Sequence, residues 1–422
     1  MILTQCAVCA TDLGLTLGKK CGRCSTRYCG PECQKQHWEQ GGHDKLCKLI
    51  KKSGGAEQYN ANTKYTEAVT VAAEACAEDT KGQTCFICTQ ALHWKTKEGL
   101  VRGCACRGTA GLVHVSCLAE QAKILVAEAL ENNLDAKAFD ERWRRWGRCS
   151  LCEQEYHGVV RCALGWACWK TYVGRPETDE PRQCAMNLLA CGLQDAGHYE
   201  DVLLVYEAEL SMFRRLGGFE GDLLVTQSNL ACVYQSLGRL EEALRLKRDV
   251  YSGRLKLLGE EHRDTLISGH NYASSLVTQE RFEEAKALQR KMMPVARRVL
   301  GDSDDITLKM RFGYARAFYR DKGATLDDLR ECVTTLEETE RTSRRVFGGA
   351  HPTTVDTERA LQSARSMLAV CEIAAAPSKP QTLAELGVEL EGEDGELLDG
   401  GTKVEFCIDP PPGSREVRVR KA

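Results

Sequence analysis

The chain has 422 residues, with 57 Lys and Arg against 60 Asp and Glu, a net charge of −3 and a pI near 6.4. That length accommodates about two to four domains, and the near-neutral balance carries no electrostatic footprint of a nucleic-acid binder. No apolar run is long enough to span a bilayer, and the opening MILTQCAVCA lacks the basic start and apolar core of a secretory leader. A cytosolic or nuclear protein is expected, neither secreted nor membrane-bound.

In a reducing compartment the 23 cysteines read as metal ligands or catalytic groups rather than disulfides. Most fall before residue 170, many as CxxC or CxC pairs. The first group is CAVC (Cys6, Cys9), CGRC (Cys21, Cys24), YCGPEC (Cys29, Cys33) and HDKLC (His43, Cys47). So short a stretch cannot bury enough apolar surface to fold alone. Two zinc ions, each contributing roughly 10–16 kcal/mol of apparent binding energy, would supply the deficit. Cys33 and His37, and likewise His43 and Cys47, are four apart and share a face where the chain is helical. Spacing leaves both His37 and His43 available as ligands. The run YCGPECQKQHWEQGGHDKLC resembles a MYND zinc finger over residues 6–47, departing mainly in its GGHD. That family is cross-braced, which implies Cys6, Cys9, Cys29 and Cys33 on one zinc and Cys21, Cys24, His43 and Cys47 on the other.

A second group spans 85–152: CFIC (Cys85, Cys88), CAC (Cys104, Cys106), His114 with Cys117, and CSLC (Cys149, Cys152). Two four-ligand structural zinc sites account for all eight, whereas a redox pair or a nucleophilic cysteine leaves most unexplained. The ligand order is shared by PHD fingers and RING-CH domains, while the spacing from Cys106 to His114, the single residue inside CAC and the Trp146 ahead of the last pair resemble a RING-CH domain. The resemblance implies Cys85, Cys88, His114 and Cys117 on one zinc and Cys104, Cys106, Cys149 and Cys152 on the other, making four zinc ions in all. It also implies that Ile87, just before the second cysteine, could pack on a ubiquitin-conjugating enzyme. Glu153 stands where many ubiquitin ligases of this type carry a basic residue. The 31 residues between Cys117 and Cys149 exceed the usual family gap and read as a helix followed by WRRW. Residues 153–182, rich in aromatics and cysteine, read as a packed connector, with Cys162 and Cys168 as buried thiols and His157 as a structural imidazole.

From 183 to 372 a long period takes over. Asn187, Asn229, Asn271 and Gly313 fall 42 residues apart, and LGEEHRDTL, LGDSDDITL and FGGAHPTTV echo one another, the last five residues late after an insertion near DKGATLDD. Such a period with helical apolar spacing predicts stacked helical hairpins. The array resembles the tetratricopeptide repeats of kinesin light chains. By that resemblance Asn229 and Asn271 would hold a peptide backbone in a concave groove; helix packing or capping is an equally available role. The tail, 373–422, reads as mostly flexible, with KVEFCI as a short strand.

The expected fold is therefore mainly α, with two small zinc modules ahead of an α-solenoid. Two functions follow from the resemblances: a scaffold binding peptides or proteins, and a ubiquitin ligase whose RING-CH recruits the conjugating enzyme while the repeats recruit substrate. A methyltransferase SET domain has neither its NHxC segment nor room. Nucleic-acid and membrane partners are not expected.

Overall fold

The computed structural model describes residues 5–11, 13, 17–217 and 219–375 and three short strands beyond them. It divides into two compact units, 1–239 and 240–422, each taken by itself below.

In the first unit a short antiparallel hairpin, β1 (Lys19–Lys20) and β2 (Arg27–Tyr28), pairs Lys19 with Tyr28. Two helices follow, α1 (Pro31–Glu39), with its proline in the first turn where no hydrogen bond is lost, and α2 (His43–Lys52). Their small core is Leu13, Tyr28 and Ile50 with the thiols of Cys6, Cys21, Cys24 and Cys47. The long helix α3 (Ala56–Ala75) and the single turn α4 (Ala77–Thr80) lead into the second cysteine-rich stretch. There α5 (Val115–Glu131) is followed by α6 (Ala136–Trp143), whose Asp135 cap accepts the Ala138 amide at 2.8 Å.

The connector predicted over 153–182 contains α7 (Gly158–Tyr172), apolar around most of its circumference and buried accordingly. It packs against α3, α5 and the next helix, α8 (Glu180–Asp195), which leads to α9 (Tyr199–Leu216) and α10 (Glu220–Ser236). Helices α7 and α8 touch backbone to backbone. A Cβ on Gly192 would lie 2.7 Å from the Arg161 carbonyl, and one on Gly165 would lie 3.0 Å from the Leu189 Cα. Glycine at both positions is what permits so close a crossing.

The second unit is a run of helical hairpins: α11 (Leu240–Leu258), α12 (Arg263–Thr278), α13 (Phe282–Leu300), α14 (Asp305–Tyr319), α15 (Leu326–Phe347) and α16 (Pro352–Ala375). Each packs on the next, with Leu244, Leu276 and Ala285 in one layer and Phe318, Cys332, Leu336 and Leu361 in another. The recurring linker has a local cause. Gly259, Gly301 and Gly348 end helices at positive φ, and three residues later His262, Asp304 and His351 accept backbone amides from the next first turn. The predicted insertion falls between α14 and α15, where Thr325 and Asp328 form a reciprocal capping box. Beyond α16, β3 (Gln381–Thr382), β4 (Lys403–Cys407) and β5 (Arg418–Lys421) form an antiparallel sheet in that order, so KVEFC is a strand. The rest of the tail expected to be flexible lies outside the described residues.

Candidate metal centres

Four CxxC pairs fold into the same turn. After each pair the next residue, Ala10, Ser25, Thr89 or Glu153, has positive φ without being glycine. Its amide donates to the carbonyl of the first cysteine at 3.1, 2.9, 2.8 and 3.0 Å respectively. The first cysteine's own amide donates to a carbonyl five residues on, at 2.8–3.0 Å, for Cys6, Cys21, Cys85 and Cys149. The turn points both thiols the same way and aims amides at the first one: Ile87 and Cys88 donate to Cys85 Sγ at 3.3 and 3.5 Å, and Leu151 to Cys149 Sγ at 3.4 Å.

Long-range packing then joins these turns in quartets. Cys6, Cys9, Cys29 and Cys33 converge, as do Cys21, Cys24, His43 and Cys47; Cys85, Cys88, His114 and Cys117; and Cys104, Cys106, Cys149 and Cys152, with all donor atoms of each set within 4.8 Å. The fit to zinc can be tested on the spacings. Tetrahedral Zn–S bonds of about 2.3 Å place sulfurs about 3.8 Å apart. The Cys21–Cys47 and Cys106–Cys149 sulfurs are each separated by 3.8 Å, and Cys9, Cys29 and Cys33 by 3.4–3.7 Å. His114 Nδ1 lies 3.3 Å from Cys88 Sγ and 3.7 Å from Cys117 Sγ, and His43 Nε2 lies 3.4 Å from Cys24 Sγ. These are the edges of tetrahedra, and all the sulfurs are far outside the roughly 2.05 Å of a disulfide. The four sets fit four zinc ions.

The electrostatics agree with the donor chemistry. At Cys85 burial opposes ionisation, but hydrogen bonds from His114 and from the Cys88 and Ile87 amides outweigh it and lower the thiol to about 6. Cys9, bonded by the Thr11 hydroxyl, is also lowered to about 6. Other thiols go the other way: in the Cys9 set Cys29 drives Cys33 up to about 12, and in the Cys21 set burial with the Cys24 and Cys21 sulfurs drives Cys47 up to about 11. Adjacent thiolates repel, so a full set of three or four thiolate charges requires a divalent cation among them.

The structure places His43, fully buried, within its quartet, while His37 Nδ1 hydrogen-bonds the Tyr28 hydroxyl at 3.0 Å. His37 stands beside the site, its ring centroid 4.8 Å from that of His43. His114 turns its other nitrogen, Nε2, to the Ala91 carbonyl at 3.4 Å, the second hydrogen bond by which a ligating imidazole is oriented. The last pair reaches its partners through aromatic packing. Phe139, Trp143, Trp146 and Tyr172 form an aromatic cluster with neighbouring centroids 5.6–6.5 Å apart, and Trp146 is buried three residues ahead of Cys149. Such contacts contribute about 1 kcal/mol each beyond their burial.

Sequence reasoning missed a fifth turn of the same kind. Lys97, at positive φ, donates its amide to the His93 carbonyl at 2.9 Å, and the His93 amide donates to the Glu98 carbonyl at 3.0 Å. His93 and Thr96 occupy the two cysteine positions, with the Thr96 amide on His93 Nδ1 at 3.2 Å. The spacing H-x2-T was the only available signal. Glu98 then accepts the Ser116 amide at 2.6 Å at the start of α5, tying this turn to the helix beside His114.

Cys162 and Cys168 are buried in α7, outside the four sets, with thiols pushed up by burial. His157 differs from the expected structural imidazole. It is exposed, and its backbone amide makes the contact, donating to the Gly103 carbonyl at 2.9 Å, because the residue precedes the first turn of α7. Ile87 is 38% exposed on the turn between Cys85 and Cys88. Glu153 bonds Arg145 at 2.9 Å, which holds its carboxyl below the usual range. Asn229 and Asn271 lie on α10 and α12, half-buried.

The MYND finger family matches residues 6–47. The RING-variant domain family matches 85–132, and a tetratricopeptide repeat family matches 222–298. The RING-variant match stops short of Cys149 and Cys152, the pair that α5, α6 and the aromatic stack carry back to Cys104 and Cys106. No curated protein matches the chain. Similar solved structures include a putative kinesin light chain with nearly identical TPR-like repeats from Podosopora anserina, at 20% identity and TM-score 0.38, covering 56% of this chain and 98% of that one. A variant of the same protein matches at 19% and 0.38, covering 55% and 97%. BtubC (BKLC) from P. vanneervenii matches at 13% and 0.39, covering 63% and 92%. The repeat architecture here stands on the hairpins themselves.

Proposed function

We propose that the chain is a zinc-organised scaffold for protein partners, laid out as a MYND module at 6–47, a RING-CH-like module at 85–152, a connector at 153–182, repeats at 183–372 and a tail at 373–422. The observation that carries this reading is the closure of all four donor sets. Each supplies four protein ligands and leaves no position for substrate or water, which is the donor pattern of structural rather than catalytic zinc. The ligands are the sixteen residues of those sets, with His43 rather than His37 in the second. The metal's part is to hold short, core-poor loops in shape; the chain's part is to present surfaces. Asn229 and Asn271 have side chains half open to solvent, with no intramolecular hydrogen bond among the described residues, and so are free to hold a peptide backbone.

The second reading is a ubiquitin ligase, favoured by the exposed Ile87 and by Trp94, 68% exposed in the adjoining turn. No residue of the chain would attack anything in that mechanism; the module would hold a charged conjugating enzyme beside a substrate lysine. The acidic Glu153, engaged with Arg145, weighs against it. Reconstitution with activating and conjugating enzymes separates the two. The scaffold reading expects no ubiquitin chains, and chains that vanish in Ile87→Ala would overturn it.

A further inference from the structure

In the second unit three helices each present one stripe to a common cavity of about 520 Å³. Arg290, Pro294 and Arg297 follow i, i+4, i+7 on α13; Arg311 and Tyr314 are i, i+3 on α14; and Glu338 comes from α15. The decisive group is Arg311. Its side chain is only 8% exposed, yet its one protein acceptor among the described residues is Glu338, whose own side chain is 57% exposed. A guanidinium has five N–H donors in a planar fork, and the Arg311 nitrogens that Glu338 does not engage are not sealed from solvent although the side chain lines the cavity wall. Most of that fork has no acceptor among the described residues.

The rest of the wall is arranged around that fork. Arg290 Nε donates to the Tyr314 hydroxyl at 2.8 Å, which donates to Glu331 at 2.6 Å, so the Arg290 guanidinium is held over the tyrosine ring. Arg297 pairs with Asp302 at 2.6 Å, both half exposed. Exposed ion pairs of that kind contribute little and exchange readily for a better acceptor. Pro294 and the Tyr314 ring supply apolar surface beside the three cations.

We propose that this cavity binds an anionic group, phosphate or carboxylate, carried on an aromatic or aliphatic stem, with Arg311 as the bidentate anchor and Arg290 and Arg297 closing around it. The headgroup takes the planar fork that Glu338 only partly fills, and the stem lies on Pro294 and Tyr314. The volume lies within the roughly 300–1,000 Å³ of small-ligand pockets, enough for an aryl phosphate. Nothing in this assignment depends on the zinc modules or on the scaffold reading.

Titration calorimetry of the full, zinc-loaded chain with phenyl phosphate, inorganic phosphate and neutral benzyl alcohol tests it. Phenyl phosphate should bind saturably, inorganic phosphate more weakly, and benzyl alcohol not at all. Arg311→Lys, which keeps the charge and loses the fork, should weaken phenyl phosphate about tenfold or more. Glu338→Gln, which removes the competing carboxylate, should tighten it. Thermal melts establish that both variants are folded, and Arg290→Gln serves if Arg311→Lys is not. A short peptide carrying the same aryl phosphate distinguishes a partner's side chain from a free metabolite, and tighter binding of either upholds the site. Absence of saturable binding, or binding indifferent to Arg311→Lys and Glu338→Gln, overturns it.

Discussion

The Ala56 amide donates to the Cys24 carbonyl at 3.0 Å, so the first turn of α3 hangs directly from the second MYND donor set. From there α3 runs along α7, with the Gln58 side-chain amide on the Lys170 carbonyl at 2.9 Å and the Tyr65 hydroxyl 2.9 Å from Ser116 Oγ. Ser116 opens α5, next to His114. The helix thus connects the metal sites of the MYND and RING-variant modules through one unit, with α7 packed against both α3 and α5.

Metal analysis of the purified chain should find four zinc ions. His43→Ala should lower that to about three, whereas His37→Phe should leave four, because the Nδ1 of His37 is engaged with Tyr28. Loss of zinc in the His37 variant with retention in the His43 variant would reverse the ligand assignment.

Gly192→Ala places a Cβ 2.7 Å from the Arg161 carbonyl, where backbone rather than a flexible side chain must move. Overpacking of this kind costs about 1–3 kcal/mol. A fall of several degrees in the first unit's melting transition, with zinc content unchanged, is the expected result.

Glu280 holds a left-handed conformation, φ 58°, at the hairpin turn where Gly197 and Gly238 stand in the preceding repeats. Glu280→Gly should raise stability by up to about 1 kcal/mol, reduced by the greater freedom of the unfolded glycine. Denaturant unfolding measures the gain, and a loss would mean that the side chain contributes something the backbone strain conceals.

Glu209 on α9 is buried, with the Thr226 hydroxyl of α10 as partner at 3.0 Å and Asp222 nearby. Burial raises its carboxyl from 4.5 to about 7. The folded state therefore binds this proton more tightly than the unfolded one. The group's contribution improves as pH falls from about 7 towards 4.5 and is unfavourable above 7. Glu209→Gln should stabilise the protein at about pH 8 and flatten the slope between about pH 4.5 and 7. An unchanged slope would show that Glu209 is ionised in the fold.

Restoring a base at the position after the last cysteine offers a separate probe of the RING-variant module. Glu153→Arg should leave zinc content intact, although it breaks the pair with Arg145. If reconstituted ubiquitin transfer appears only in this variant, the native glutamate is what silences the module.

The ligands and the repeats were legible in the chain because their physics is local. A CxxC turn closes within a short run of backbone, and a 42-residue beat repeats the same capping and turn chemistry. Which turns would share a metal is not a local matter, and resemblance had to stand in for geometry. Cys149 and Cys152 meet Cys104 and Cys106 only because α5, α6 and the Trp143, Trp146 and Tyr172 stack fold the intervening residues back. The choice between His37 and His43 fell to the hydrogen bond that Tyr28 offers one of them. Tertiary packing likewise decided that three arginines from two helices of the solenoid face one cavity. Side-chain identity carries short-range geometry; only the folded chain settles which distant donors lie within a few ångströms.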